Sequence, residues 1–130
     1  MPLVRIDLIE GRSDDQVAAI MQQVHEAVVA CFEVPERDRY QIVSQHRPSH
    51  VVLEDTGLGF ERTRDAVVIS VTSRRRSTAS KQAFYRDVTA RLGRVAGVKP
   101  TDVLISIVEN GDADWSFADG EAQFLTGALD

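Results

Sequence analysis

Apolar and polar positions alternate at the start of the chain, where Val4, Ile6 and Leu8 are interleaved with Arg5 and Asp7 over residues 2–9. A period of two sends successive side chains to opposite faces, so this segment is predicted to be a strand with one buried face. The period then lengthens. Val17, Ile20, Met21, Val24, Val28 and Cys31 recur at helical intervals behind Ser13 and Gln16, a pair with capping-box spacing, and predict one amphipathic helix over residues 14–32. Pro35 lacks the N–H that a continuing helix needs, and the charged turn Glu36–Arg39 leads into an extended segment, Tyr40–Gln45.

Residues 46–65 carry no sustained period. Pro48, Gly57 and Gly59 punctuate them around a short predicted strand, Val51–Leu53, so a hairpin and a loop are expected. AVVISVT at 66–72 is almost continuously apolar and β-branched, which suits a central strand buried on both faces. Ser77 is placed to cap a second helix over 78–96, with Phe84, Val88, Leu92 and Val95 on one side and Gly97 beyond its end. After Pro100, Val103–Glu109 reads as another buried strand, followed by a tail containing Trp115, Phe117 and Phe124.

The fold class is therefore α/β, a β-α-β pattern used twice within a single domain spanning 1–130, although the halves share no convincing sequence identity. Helices on one side of so small a sheet leave edges and a face that other subunits could cover, so an oligomer is expected.

Composition narrows the classes of partner. Charged residues make up 27% of the chain and no run of 18 apolar residues occurs, so no membrane span and a soluble protein are expected. The first residues lack the pattern of a secretory signal, which makes cytoplasmic the expected location. A net charge of -5 argues against nucleic acid, whose phosphates are held by lysine and arginine. Cys31, the single cysteine, lies on the helix's apolar stripe and reads as a core residue. His25, His46 and His50 have no metal-ligand spacing, and Gly57-Leu58-Gly59 is too short for a phosphate loop, so neither metal nor cofactor is expected.

Three features carry candidate chemistry. Pro2, taken alone, is a proline tolerated at the first position of a strand; removal of Met1 would make it a free secondary amine, able to act as acid or base or to form an iminium with a carbonyl. Arg74, Arg75 and Arg76 sit between a strand end and a helix N-terminus. Continued strand geometry would turn Arg74 and Arg76 to one side as a carboxylate clamp and Arg75 to the other; the alternative is a solvated basic turn. Asp38 is a candidate general base, water-holding group or orienting partner for a cation. The aromatic tail by itself suits a core or a subunit interface as well as a pocket wall.

Together these residues resemble the malonate semialdehyde decarboxylase family of the tautomerase superfamily. The resemblance runs through PLVRIDLIEGR, VPERDRYQIVSQHRP, VLEDTGLGF, the R-x-R at 74–76, and VENGDADWSF followed by FLTG. It implies a homotrimer of β-α-β-β-α-β subunits, each a mixed four-stranded sheet with two helices on one face. It also implies cofactor-independent decarboxylation of a 3-oxo acid, malonate semialdehyde, by Pro2, Asp38, Arg74 and Arg76. Trp115, Phe117, Phe124 and Leu129 would form the apolar wall of the substrate pocket. A hydratase, a keto–enol tautomerase of 2-oxo acids and a non-catalytic trimeric binding protein are the competing expectations. A retained Met1 would lock the Pro2 nitrogen into an amide.

Overall fold

A computed structural model describes all residues from Met1 to Asp130. Strand β1 (Leu3–Ile9) leads to helix α1 (Asp14–Phe32) and strand β2 (Tyr40–His46); strand β3 (Val67–Arg74), helix α2 (Thr78–Ala96) and strand β4 (Val103–Asn110) repeat the pattern, and a short helix, α3 (Gln123–Thr126), lies in the tail. The capping box forms as its spacing predicts. Ser13 Oγ accepts the Gln16 N–H at 3.2 Å and Gln16 Oε1 accepts the Ser13 N–H at 2.9 Å. Ser77 Oγ likewise accepts the Ser80 N–H at 3.1 Å, and α2 stops at Gly97, whose φ of 66° is readily adopted without a Cβ.

The sheet has the order β2-β1-β3-β4 and is mixed: β1 and β2 are parallel, β3 and β4 are parallel, and the two central strands are antiparallel. Val4, Ile6 and Leu8 of β1 and Val67, Ile69 and Val71 of β3 form one buried cluster with Val24, Val28 and Phe32 of α1 and Phe84, Val88 and Leu92 of α2. Phe32 stacks on Phe84 with ring centroids 5.0 Å apart. The two rings join α1 to α2 above the sheet.

Three expectations need correction. Val51–Leu53 is not a strand; the segment opens with a 3₁₀ turn at Pro48–His50 and then runs irregularly to β3. Val52 is 82% exposed, so no neighbouring strand offers a ladder, and side chains organise the backbone instead. The Asp55 carboxylate accepts the Gly57 and Gly59 N–H groups at 3.1 and 2.8 Å, and the Asp102 carboxylate accepts Thr63 N–H and Oγ–H at 2.7 and 2.6 Å. Secondly, neither β3 nor β4 is buried on both faces. Both helices cover the same side, so exposure along β3 alternates, and β4 is an edge strand on which Val108 is 61% exposed. Thirdly, Val95 is half exposed, lining a shallow cleft with Ala19 and Ile20 of α1. No helix is long and apolar enough to cross a membrane.

Candidate active site

Strand pairing dictates which residues meet. In the parallel pair Leu3 lies opposite Tyr40, so the starts of β1 and β2 are neighbours; in the antiparallel pair Leu3 lies opposite Thr72, so the end of β3 is there too. The chain's amino terminus, the turn before β2 and the arginine run are thereby brought to one end of the sheet.

The α-amine in this structure belongs to Met1, and Pro2 is a buried residue beside it. The Met1 nitrogen lies 3.7 Å from Asp38 Oδ2, an ion pair without a hydrogen bond. Burial lowers this amine below the usual α-amino value; Asp38 opposes the shift, while Arg76 and Arg74 reinforce it. Asp38 is itself buried, and its Oδ2 has no hydrogen-bond partner. Its counterpart in the second half, Asp102 before β4, is also buried but has both oxygens satisfied by Thr63. An acceptor left unpaired out of water costs on the order of 1–3 kcal/mol, so the nearby ammonium is what compensates the Asp38 carboxylate.

Arg74 and Arg76 are both close enough to act on the amine but are held differently. Arg74 donates from Nη1 to Asp112 Oδ1 at 3.0 Å and from Nη2 to the Asp130 main-chain oxygen at 2.9 Å, and its guanidinium lies 3.7 Å from the Phe124 ring centroid. Arg76 donates from Nε to Ser73 Oγ at 3.1 Å and from Nη1 to the Phe32 carbonyl at 3.0 Å. Burial holds its pKa below the ordinary arginine value, as does Arg74, against a raising effect of Asp38. The Arg76 backbone N–H donates to Glu109 Oε2 at 2.8 Å, and the same oxygen pairs with Lys81 Nζ at 3.1 Å.

Arg75 is exposed, whereas Arg74 and Arg76 are half-buried and both act on the amine. Arg75 lines a cavity of about 310 Å³ together with Arg74, Arg76, Asn110, Gly111 and Asp112. A larger cavity, about 500 Å³, opens at the far end of β1, where Arg12 and Arg64 donate to the carbonyls of Asp65 and Glu10. It contains no amine.

The tail folds back over the site. Phe117 stacks with Trp115 at 5.3 Å and meets Phe124 edge-on at 5.4 Å between centroids, and Trp115 Nε1 donates to Asn110 Oδ1 at 2.7 Å. Tyr40, which the pattern of the sequence did not single out, extends the stack at 5.7 Å from Phe117. Leu129 is half-buried, its N–H bonded to the Gln123 carbonyl. Ser73, Phe32, Glu109 and Asp112 also escaped the sequence reading. Ser73 alone carried a signal, as a polar residue in an inward row of Val and Ile.

Cys31 packs against the core near Asp87, and burial, followed by that carboxylate, pushes its thiol up and away from nucleophilic reactivity. No three His, Cys, Asp or Glu side chains are grouped to hold a metal ion. What converges is an amine, a buried carboxylate, two guanidiniums and aromatic surface, a set suited to a small oxo acid.

Comparison with known proteins agrees with this chemistry. Two family models, each described as tautomerase enzyme, match residues 2–61 and 38–118. The probable tautomerase YrdN of Bacillus subtilis (strain 168) is 54% identical over 99% of this chain and 100% of its own length, and the probable tautomerase YusQ of the same strain is 34% identical over 96% and 99%. A solved malonate semialdehyde decarboxylase superposes with a TM-score of 0.95 at 50% identity, covering 98% of both chains. The FG41 malonate semialdehyde decarboxylase inhibited by 3-bromopropiolate gives 0.93 at 44% identity, covering 98% of this chain and 97% of that one. A fused 4-OT solved as a symmetric trimer, 17% identical with a TM-score of 0.79, shares the fold. With both halves matched and the whole length aligned to such relatives, this chain is a member of the tautomerase superfamily.

Proposed function

We propose that the protein decarboxylates malonate semialdehyde to acetaldehyde and CO2, with Pro2 as its amino terminus after loss of Met1. The observation that carries this reading is the convergence of a buried amine, Asp38, Arg74 and Arg76 in one chain, joined to near-complete alignment with two malonate semialdehyde decarboxylases. The bond that breaks joins the carboxylate carbon to C2. Its electron pair moves toward the aldehyde carbon, so the carboxylate must stand perpendicular to the carbonyl plane and the developing enolate needs a positive group. Arg74 and Arg76 grip and orient the carboxylate. Pro2 takes up the electrons, as an ammonium acid at the carbonyl oxygen or as an iminium formed with loss of water. Protonation at C2 then gives acetaldehyde, and in the covalent route water releases the amine. Asp38 holds a water or tunes Pro2, and the wall of Trp115, Phe117, Phe124 and Leu129 favours departure of a charged group as neutral CO2.

Burial of the amine supports a second reading. A lowered proton affinity favours the neutral form, which suits a nucleophile but also a base, and a base on this scaffold would interconvert keto and enol forms of a 2-oxo acid. Side-by-side assay of malonate semialdehyde, 2-oxo-3-pentynoate and phenylpyruvate separates the reactions, together with Pro2→Ala. Fastest turnover is expected with malonate semialdehyde, lost in the variant. Preferred tautomerisation of phenylpyruvate would replace the first reading by the second, and an unchanged Pro2→Ala would remove the secondary amine of proline from both.

A further inference from the structure

The inward row of β3 runs Val67, Ile69, Val71 and then Ser73, a hydroxyl at 0% exposure where the alternation calls for a fourth apolar side chain. A hydroxyl taken out of water must find partners, and Ser73 has two. It donates to the Arg74 carbonyl at 2.8 Å and accepts the Arg76 Nε–H at 3.1 Å. Its single proton is committed to the carbonyl, so its lone pairs are left for the guanidinium.

The second hold on Arg76 is the Phe32 carbonyl, at the last residue of α1. A helix end leaves its final carbonyls unpaired and partially negative, and α1 has no basic residue in its last turn. Arg76, from the other half of the chain, supplies that cation. Arg74 differs in having a carboxylate, Asp112, as its partner. Every hydrogen-bond acceptor on the Arg76 guanidinium is neutral, and the Asp38 carboxylate acts on it without a hydrogen bond, so the group is fixed in place with no carboxylate bound to its N–H groups. A cation held this way keeps its charge and its remaining N–H groups for an incoming anion.

We propose that Ser73 is a positioning residue, whose hydroxyl sets the plane of the Arg76 guanidinium so that its other N–H groups meet the substrate carboxylate. The proposal rests on the carboxylate-binding role given to Arg76 above, and Ser73 acts only through that side chain. Ser73→Ala and Ser73→Cys are compared in the whole protein by three measurements: the ¹H–¹⁵N signal of Arg76 Nε, the Kd of malonate as a non-reacting dicarboxylate, and kcat and KM for malonate semialdehyde. In Ser73→Ala the Nε–H signal should move and exchange faster with water. Malonate Kd and KM should each rise roughly tenfold, the scale of one hydrogen bond to a charged group, with kcat changing less. Ser73→Cys fills the space with a poor acceptor and should follow Ser73→Ala. Retention of wild-type affinity by Ser73→Cys would mean that packing alone matters and would overturn the proposal, as would a Ser73→Ala protein whose Nε–H signal is unmoved and whose Kd stays within about twofold. If the wild-type protein leaves malonate semialdehyde intact, the functional reading fails, while the Nε–H and malonate measurements still decide the role of Ser73.

Discussion

Asp38 and Asp102 precede β2 and β4 in the two halves of the chain, both buried, yet only Asp102 has its oxygens satisfied. The difference predicts how the amine titrates. A nearby carboxylate favours the charged ammonium and nearby guanidiniums disfavour it, so Asp38→Asn should move the Pro2 midpoint down in ¹⁵N NMR and Arg76→Ala should move it up. A shift in the opposite direction for either variant would mean that the processed amine leaves the surroundings seen here. Pro2, Asp38, Arg74 and Arg76 stood out in the sequence by residue type and place, and the family resemblance joined them, whereas the partners that hold them did not stand out. Phe32 contributes a backbone carbonyl, which any residue possesses, and Glu109 meets Arg76 through the arginine's backbone, so neither contact leaves a mark in side-chain pattern.

At the scale of elements, helices and strands were legible because period and caps agree: Ser13 with Gln16, and Ser77 with Gly97, bound helices where the apolar stripe begins and ends. The segment 46–65 was misjudged because three apolar residues after Pro48 resemble a strand, while its order comes from carboxylates paired with N–H groups both near and far in the chain. The junction of β3 and α2 is tied by Glu109, whose pKa is held below its ordinary value of about 4.5 by the Arg76 N–H and then by Lys81. A depressed carboxylate contributes stability that is complete above its unfolded pKa and disappears as pH falls through the folded one. Unfolding of wild-type protein and Glu109→Gln should therefore differ at pH 7 and converge in acid; curves that stay parallel to low pH would exclude this ionic tie.

On the scale of the whole molecule, the sheet has a helix-covered face and an uncovered one, on which Ile42 is 46% and Val108 61% exposed. Apolar side chains left in water on a β-sheet are a reason for association, and we propose a homotrimer closed over that face. Sedimentation of the wild-type protein should report a trimer and Val108→Lys a smaller species with reduced activity; a monomeric wild type at micromolar concentration would rule it out. The sequence anticipated assembly from the smallness of the sheet but read the apolar run at 66–72 as burial within one chain. Period alone cannot separate a face covered by helices from one covered by a neighbouring subunit.

The antiparallel pairing of β1 with β3 has a practical consequence for handling the protein. It draws both chain ends to one place, with the Met1 amine beside Asp38 and the Asp130 main-chain oxygen on Arg74. A purification tag or fusion partner at either end would therefore intrude on the proposed active site. The exposed stretch around Val52 and Leu58, on an irregular loop, is the gentler point of attachment.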